Sequence, residues 1–437
     1  MNIVMLGAGY VGLVSGACFS EFGFNVTCID KNEKKINNLK KGILPIYEPG
    51  LEDLVNKNYK NGNLNFSTNL NETISDADAI FIAVGTPERR GDGHADLSFV
   101  YAAAKEIAPL LKKYVLIITK STVPVGTSFE IKNIIRENNK NVDFDVVSNP
   151  EFLREGSAIE DFMRPNRVVV GLESEKSKEI MKKIYQPLFL IQTPILFTDL
   201  KSAELIKYAS NAFLALKISF INQMADLCES LNTDIHSISK GMGLDKRIGD
   251  KFLHPGPGYG GSCFPKDTVA LSKIASDNNV EISLIDNVID YNTKRKRSLI
   301  SRVKKIAGPN LNDMSLSVLG LSFKPGTDDM RESPALDLIP QLIREVKKIK
   351  VFDPVAMEEA SRIFKNVNFC TSVDNCLKNT DLLIILTEWS EFRTISSDYL
   401  SELMNGNIVI DFRNALSPSN FKTNNFVLHQ IGRGPFI

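Results

Sequence analysis

The chain of 437 residues opens with a glycine pattern that few folds can accommodate. Residues 2–7 (NIVMLG) have the composition of a buried strand, and Gly7-Ala8-Gly9-Tyr10-Val11-Gly12 follows at once, ahead of helix-compatible sequence. A G-x-G-x-x-G turn between a strand and a helix gives a tight bend, close approach of backbone to a pyrophosphate, and oriented helix N–H groups. The pattern predicts a dinucleotide-binding domain at the start of the chain.

An aspartate in the next strand adds to this prediction. Residues 25–30 (NVTCID) end at Asp30, 18 residues after Gly12, where a carboxylate accepts hydrogen bonds from an adenosine ribose. The same carboxylate would repel a 2′-phosphate, so NAD is favoured over NADP. Taken alone, Asp30 is equally well explained as a turn residue, and glycine-rich turns also occur as packing devices. Together the two features predict NAD binding.

Apolar strands and amphipathic helices alternate in both halves of the chain. In the first half, strands are predicted at 79–84, 115–119, 145–148 and 167–171, with helices such as 31–41 and 97–111 between them. In the second half, strands are predicted at 316–320, 349–353, 382–386 and 407–411. Residues 75–87 also resemble residues 378–389. We therefore expect two related α/β lobes with parallel, doubly wound sheets.

The second lobe lacks the glycine fingerprint. It has Gly320-Leu321-Ser322-Phe323 at the corresponding turn. We expect this lobe to share the fold without binding a dinucleotide.

A long apolar helix is predicted between the lobes. Residues 201–231 contain neither Gly nor Pro, and their apolar side chains cover every side of the helix. Such a helix is expected to be buried, here between domains or subunits. More helix is predicted to about residue 306, interrupted by the Gly/Pro-rich stretch 254–265.

Composition excludes several other classes of protein. The 52 basic residues balance 52 acidic ones, and 43% of residues are hydrophobic, which is typical of a globular chain and not of a nucleic-acid or membrane-surface binder. The six cysteines show neither regular nor C-x-x-C spacing, so we predict no disulfide framework and no metal site. With no leader-like segment or membrane span, we expect a cytoplasmic location.

Two donors on the long helix are candidate catalytic residues. Lys207 and Asn211 are four residues apart and so share one face. A buried ammonium is costly unless an anion meets it, which is compatible with a structural pair with Glu204 or with donors aimed at an oxyanion.

The segment His254–Asp267 (HPGPGYGGSCFPKD) is the most unusual in the chain. Its glycines and prolines predict a loop that approaches a ligand closely, and it places Cys263 just ahead of a helix predicted to start near Pro265. A helix N-terminus lowers the pKa of a thiol and favours the thiolate. Cysteines are more often structural, but in this loop we interpret Cys263 as a nucleophile and the other five as inert.

Three further loops follow predicted strands. Thr86 and Thr122 lie in loops that face a cofactor or cap a following helix. In the segment 149–156 (NPEFLREG), Glu151 and Glu155 are four residues apart, either as a solvated acidic turn or as carboxylates that move protons.

These motifs together resemble the nucleotide-sugar 6-dehydrogenase family. The resemblance covers essentially the whole chain and rests on segments in the family's order: 7–16 (GAGYVGLVSG), 44–51 (LPIYEPGL), 121–127 (STVPVGT), 149–156 (NPEFLREG), 207–213 (KYASNAF), 247–253 (RIGDKFL), 258–267 (GYGGSCFPKD), 323–333 (FKPGTDDMRES) and 411–414 (DFRN). It implies a homodimer or larger homo-oligomer through a helical dimerisation domain. It also implies an NAD-binding domain over 1–198, a central helical domain over 199–308 and a C-terminal UDP-binding domain over 309–437.

The resemblance implies a four-electron oxidation of a sugar alcohol to a carboxylate with two NAD⁺. Cys263 would be the nucleophile, forming a thiohemiacetal and then a thioester, and Lys207 and Asn211 would stabilise oxyanions. Glu151 would serve in acid–base steps, and Asp267 and Thr122 would position water or protons. The implied NAD contacts are Gly7, Gly9, Tyr10, Val11, Gly12, Asp30, Lys35, Thr86, Thr122, Glu155 and Arg331. The implied substrate contacts are Glu151, Phe152, Leu153, Lys207, Asn211, Arg247, Phe252, Tyr259, Gly260, Lys324 and Arg413, with Arg247 reaching a neighbouring subunit's site.

The substrate and two rival functions stay open at this point. The resemblance favours UDP-glucose over GDP-mannose or a UDP-N-acetylhexosamine, with polysaccharide-precursor supply as the role. A two-electron hydroxy-acid dehydrogenase would explain the glycine turn, Lys207 and Asn211, but not Cys263. A nucleotide-sugar-binding regulator would leave Cys263, Lys207 and Asp267 without a purpose.

Overall fold

The computed structural model of the protein describes residues 1–89, 91–423 and 425–436. These residues form two compact units. Unit 1 comprises Met1–Ser210 with Lys273–Val280, and unit 2 comprises Asn211–Ser272 with Glu281–Ile437.

Unit 1 is built on an eight-stranded sheet of order β3-β2-β1-β4-β5-β6-β7-β8, parallel except for the β6–β7 pair. Its strands are β1 (Asn2–Leu6), β2 (Asn25–Ile29), β3 (Leu64–Ser67), β4 (Ala79–Ile82), β5 (Val115–Thr119), β6 (Phe144–Ser148), β7 (Val168–Gly171) and β8 (Ile195–Thr198). Its helices are α1 (Tyr10–Glu21), α2 (Glu33–Lys40), α3 (Leu51–Lys60), α4 (Leu70–Ile74), α5 (Ser98–Ile107), α6 (Thr127–Asn138), α7 (Ala158–Met163), α8 (Glu175–Ile184) and α9 (Gln186–Phe189). Successive strand residues alternate between two cores, as Phe81 and Ile82 do.

Four helices occupy the middle of the chain. They are α10 (Leu200–Leu231), α11 (Ile235–Gly243), α12 (Phe264–Asp277) and α13 (Ser283–Ala307). The long helix α10 leaves unit 1 and continues into unit 2, so the predicted α/β fold of two lobes joined by a long helix is confirmed.

Unit 2 contains a second parallel sheet of order β11-β10-β9-β12-β13-β14. Its strands are β9 (Ser315–Leu319), β10 (Lys348–Phe352), β11 (Asn368–Phe369), β12 (Leu382–Ile385), β13 (Ile408–Asp411) and β14 (Val427–Gln430). Its shorter helices are α14 (Pro334–Leu342), α15 (Met357–Ile363), α16 (Val373–Leu377) and α17 (Ser397–Ser401). The order repeats that of β3-β2-β1-β4-β5-β6, which confirms the predicted relation between the lobes.

The first strand-to-helix turns of the two sheets also match. Gly7 and Gly320 both have positive φ, and each donates its N–H to the last residue of the neighbouring strand, Ile29 and Phe352, at 2.8 Å. A Cβ on Gly7 would lie 2.7 Å from Ala83 O, and one on Gly320 would lie 2.4 Å from the Thr387 Cβ. Only glycine fits either turn.

Part of the apolar surface of α10 is exposed in the single chain. Phe213 is 58% exposed, Phe220 40% and Leu227 48%. Within one chain the helix therefore keeps an open apolar face. Of the helices in the described residues, none is both long enough and apolar enough to cross a membrane.

Candidate active site

The glycine turn of unit 1 leaves space for a ligand. A Cβ on Gly12 would lie 1.9 Å from Gly7 O, so the turn and α1 pack directly on each other. A Cβ on Gly9, which precedes α1, would meet no described atom within 4 Å. This open position in front of a helix N-terminus fits a pyrophosphate.

Asp30 lies beside this turn. Its carboxylate accepts hydrogen bonds from Ala8 N at 3.1 Å, Asn32 N at 3.0 Å and Lys35 Nζ at 2.7 Å. Burial raises the pKa of Asp30, but these bonds outweigh it and hold the pKa below its ordinary value. The group is therefore an anion that keeps part of its surface exposed, as a ribose-binding carboxylate needs.

The two threonine loops meet at the carboxyl ends of β4 and β5. The Thr86 hydroxyl donates to Thr122 O at 2.9 Å. Neither residue caps a helix, since α5 begins at Ser98 and α6 at Thr127. The capping interpretation is wrong, and the interpretation in which these loops face a cofactor remains.

Glu48, which we did not predict as a site residue, holds the 149–156 loop to α1. Its carboxylate accepts from Gly156 N at 2.6 Å, Ala158 N at 2.7 Å and the Tyr10 hydroxyl. It lies in the quoted motif 44–51, which was the available signal.

A buried ion pair forms the second part of the unit 1 site. Lys207 Nζ lies 3.1 Å from Glu151 Oε1, and the two side chains are only 4% and 6% exposed. Glu151 Oε2 also accepts from Leu153 N at 2.5 Å. The alternative partner Glu204 instead accepts from Gly126 N and Ser128 N. Lys207 is therefore paired with a carboxylate of the predicted site.

An aromatic ring lies beside this pair. The Phe152 ring centroid is 5.2 Å from Lys207 Nζ and 3.5 Å from the Arg167 guanidinium carbon. Burial lowers the pKa of Arg167, opposed by the charge of Glu151. The structure therefore brings Glu151, Phe152, Leu153 and Lys207 together.

In unit 2, Cys263 immediately precedes α12. Its carbonyl accepts from Asp267 N at 2.9 Å, and its Sγ lies 3.5 Å from Ser262 Oγ. The helix begins at Phe264, so Pro265 is the second residue of the helix and not the first, as predicted. The thiol sits at the helix N-terminus, the place that favours a thiolate.

Three buried side chains that we did not predict hold the backbone of the cysteine loop. Asn222 Oδ1 accepts from Gly256 N at 2.8 Å, and Arg295 Nε donates to Gly256 O at 2.8 Å. Asn292 pairs with both backbone groups of Tyr259, at 2.8 and 3.0 Å. No sequence signal separated these residues from other polar helix positions.

Asn211 and Asp267 form the polar centre of this site. Asn211 Nδ2 donates to Asp267 Oδ2 at 2.6 Å, and Lys266 Nζ lies 2.5 Å from Asp267 Oδ1. Asp267 is 1% exposed. On α10, Lys207 and Asn211 are one turn apart, as predicted.

Aromatic residues and glycines shape the cysteine loop. The Phe252 and Tyr259 rings lie 6.1 and 6.2 Å from the Phe264 ring. A Cβ on Gly260 would lie 2.3 Å from Glu332 O, so this position requires glycine.

The predicted cations of unit 2 have partners of their own. Arg413 donates to Leu386 O at 2.7 Å and Phe323 O at 2.6 Å. Arg331 pairs with Asp329 at 2.8 Å, and exposed Arg247 pairs with Asp245 at 2.6 Å. Lys324 Nζ lies 5.2 Å from the Phe323 ring centroid. Arg413 therefore stabilises the loop that contains Lys324, through its hydrogen bond to Phe323 O.

Comparison with known proteins identifies the family. Family models of UDP-glucose/GDP-mannose dehydrogenases match three stretches: the NAD binding domain over residues 1–189, the central domain over 201–294 and the UDP binding domain over 317–418. The chain belongs to the UDP-glucose/GDP-mannose dehydrogenase family. It is accordingly an NAD-dependent enzyme that oxidises nucleotide sugars.

Named relatives extend over the whole chain. A UDP-glucose 6-dehydrogenase of Rhizobium meliloti is 49% identical over 99% of this chain and all of its own length. A UDP-glucose 6-dehydrogenase of Bacillus subtilis is 46% identical over 99% of this chain and 93% of its own. The solved UDP-glucose dehydrogenase of Pyrobaculum islandicum superposes with a TM-score of 0.90 at 35% identity, covering 99% of this chain and 98% of its own.

The residues of the UDP-glucose/GDP-mannose dehydrogenase NAD domain fit the cofactor. The space at Gly9, the N-terminus of α1 and the partly exposed Asp30 carboxylate supply a pyrophosphate site and a ribose acceptor.

Unit 2 differs at the position that corresponds to Asp30, which is Asp353 after β10. Asp353 is fully buried and accepts hydrogen bonds from Leu321 N, Ser322 N and Oγ, Val355 N, Ala356 N and Trp389 Nε1.

The other five cysteines of this family member are not all alike. Cys18, Cys28, Cys228 and Cys376 are buried, and burial raises the pKa of Cys28 to about 12. Cys370 is half-buried, and a hydrogen bond with Cys376 lowers its pKa to about 7. Within the described residues, no group of three or more His, Cys, Asp or Glu side chains is placed to hold a metal ion.

Proposed function

We propose that the chain oxidises UDP-glucose to UDP-glucuronate in two steps through a covalent Cys263 intermediate. The observation that carries the proposal is Cys263 at the N-terminus of α12, with Asp267 one turn further along the helix and hydrogen-bonded to Asn211. The 49% identity to a named UDP-glucose 6-dehydrogenase supports the choice of sugar.

The chemistry explains why a thiol is needed. NAD⁺, when bound, accepts one hydride from C6 of the sugar in each oxidation. The first oxidation leaves an aldehyde, and the Cys263 thiolate adds to it, forming a C–S bond and a thiohemiacetal that again carries a C–H hydrogen. Loss of the second hydride gives a thioester. Water then attacks the thioester, the C–S bond breaks, and the thiolate leaves.

The roles of the polar side chains follow from the charge that each step develops. Lys207 and Asn211 donate to the oxyanions of the alcohol and the tetrahedral adducts. Glu151 moves protons during thioester hydrolysis, and Asp267 and Thr122 position the water.

The proposed binding residues belong to two sets. NAD is held by Gly7, Gly9, Tyr10, Val11, Gly12, Asp30, Lys35, Thr86, Thr122, Glu155 and Arg331. Substrate is held by Glu151, Phe152, Leu153, Lys207, Asn211, Arg247, Phe252, Tyr259, Gly260, Lys324 and Arg413. We keep the division at 1–198, 199–308 and 309–437, which the three family matches support.

The number of NADH molecules formed per sugar tests the function. We expect two for each UDP-glucose consumed, measured by absorbance together with uronate in the product. One NADH would indicate a two-electron hydroxy-acid dehydrogenase instead, and none would indicate a binding protein. Faster turnover of GDP-mannose or a UDP-N-acetylhexosamine would keep the chemistry and overturn the substrate.

Replacing Asp30 by alanine should weaken NAD binding and narrow the preference for NAD over NADP. The change removes hydrogen bonds to a ribose and a charge that repels a 2′-phosphate. The ratio of kcat/KM values for the two cofactors measures the effect. Exposed Asp143 replaced by alanine is the control, and an unchanged ratio in Asp30→Ala contradicts the ribose assignment.

We also propose a homodimer or larger oligomer through α10. Phe213, Phe220 and Leu227 are exposed at seven-residue intervals, which places them along one apolar face of the helix. Light scattering of the purified chain tests this, and the mass of a single chain would contradict it.

A further inference from the structure

Lys120 is a buried cation for which the proposed reaction has no role. It follows β5, and only 5% of its surface is exposed. Its ammonium contacts two neutral oxygens, Asn149 Oδ1 at 3.2 Å and Tyr185 OH at 3.4 Å. Among the described residues, no carboxylate lies within ion-pair distance of it. An ammonium buried without a counter-ion costs stability, so the position of Lys120 calls for an explanation.

The contacts of Lys120 converge on one side chain. Tyr185 OH donates to Asn149 Oδ1 at 2.5 Å, and Asn149 Nδ2 donates to Val169 O at 2.8 Å. Asn149 is fully buried, and its backbone N–H is bonded to Thr119 O at 2.9 Å. Three hydrogen bonds therefore fix the side-chain amide of Asn149, and a fourth fixes its backbone.

Asn149 lies two residues before Glu151. The intervening Pro150 restricts the backbone, so the orientation of Asn149 is passed directly to Glu151. Glu151 in turn holds Lys207 at 3.1 Å. A displacement of the Asn149 amide would therefore move the carboxylate that is proposed to move protons during thioester hydrolysis.

The charged groups that act on Lys120 are Glu151 and Lys207, the ion pair of the unit 1 site. Burial lowers the pKa of Lys120 to about 8, while the charge of Glu151 opposes this shift and that of Lys207 adds to it. The groups that face the ammonium are Glu151 after β6, Lys207 on α10 and the Tyr185 hydroxyl after α8.

We propose that Lys120 is a positioning residue, which holds the Asn149 amide and thereby sets Glu151 against Lys207 for hydrolysis of the Cys263 thioester. This inference rests on the proposed function. It adds a residue that touches neither substrate nor cofactor but governs the last chemical step.

The test compares Lys120→Met and Lys120→Arg with the wild-type enzyme, using UDP-glucose and NAD⁺. In Lys120→Met we expect kcat to fall at least about tenfold, with both KM values within about threefold, because a small misplacement of a catalytic group is costly. Intact-protein mass spectrometry after acid quenching should show the covalent substrate adduct accumulating on Cys263. Lys120→Arg, which keeps the charge and the donors, should recover most of kcat and lose the adduct. Exposed Lys112→Met is the matched control and should behave as wild type.

Thermal melting separates positioning from misfolding. Lys120→Met removes a buried charge and should melt above wild type at pH 7. The folded wild type releases its Lys120 proton near pH 8, before the unfolded chain does at about 10.5, so wild-type stability rises in that window. The difference in Tm should therefore shrink between pH 7 and pH 10.

Each outcome has a distinct meaning. A folded Lys120→Met enzyme with unchanged kcat overturns the inference. So does a fall in kcat without adduct accumulation or without recovery in Lys120→Arg, since that indicates a structural role. If wild type itself fails to form two NADH per UDP-glucose, the proposed function fails, and this failure is seen before any variant is made.

Discussion

Replacement of Cys263 by alanine should lower the rate of uronate formation by a factor on the order of 10³ or more, because no other group replaces a covalent nucleophile. Without the thiol, the aldehyde carbon cannot be returned to a form that carries a transferable hydride. NAD binding should be unchanged, because Cys263 is not one of the proposed NAD contacts. Rapid measurement of NADH should show the second equivalent lost.

Cys370→Ala is the matched control for this variant. Cys370 is half-buried and its pKa is lowered to about 7, so it is the best competitor for thiol chemistry in the same unit. We expect its kcat to stay within about twofold of wild type. A Cys263→Ala enzyme that forms uronate at the wild-type rate would disprove the covalent mechanism.

Replacement of Lys207 by methionine should lower kcat by about 10²–10³-fold, as expected for loss of one oxyanion donor. The substitution keeps the unbranched shape of the side chain but removes the ammonium that lies 3.1 Å from Glu151. A buried carboxylate then loses its partner, so we also expect a lower melting temperature. Stopped-flow absorbance on enzyme confirmed as folded by circular dichroism separates the two effects.

Lys201→Met provides the comparison on the same helix. Lys201 is exposed near the start of α10, and its ammonium lies 5.7 Å from the Phe129 ring. This variant should keep both wild-type kcat and wild-type melting temperature. If Lys207→Met also keeps its kcat to within a few-fold, the pair with Glu151 is structural.

The strands that sequence reasoning missed are β3, β8, β11 and β14, which are the four sheet edges. Central strands such as Val115–Thr119 are buried throughout, so they can be recognised in the sequence as apolar runs. Edge strands face solvent on one side, so their residues are mixed in character and their apolar signal is weak. The central strands of each sheet were therefore predictable from the sequence, and the edge strands were not.

The same division separates the predicted from the unpredicted site residues. The glycine turn, the one-turn spacing of Lys207 and Asn211, and the position of Cys263 before a helix are local patterns within a few residues. Asn292 acts on Tyr259 from 33 residues away, and Lys120 reaches Tyr185 across 65 residues. Such contacts depend on the packing of whole elements, which local composition does not encode.

The hydrogen bonds that the Asp353 carboxylate already accepts would prevent the second lobe from binding a dinucleotide. Asp30 and Asp353 follow equivalent strands. The Asp30 carboxylate keeps an exposed surface for a ligand, whereas the Asp353 carboxylate accepts hydrogen bonds from nearby backbone N–H groups, the Ser322 hydroxyl and Trp389. Restoring a full glycine fingerprint at residues 320–325 would therefore not create a second dinucleotide pocket. A redesign would first have to free that carboxylate, which means dismantling the turn that it supports.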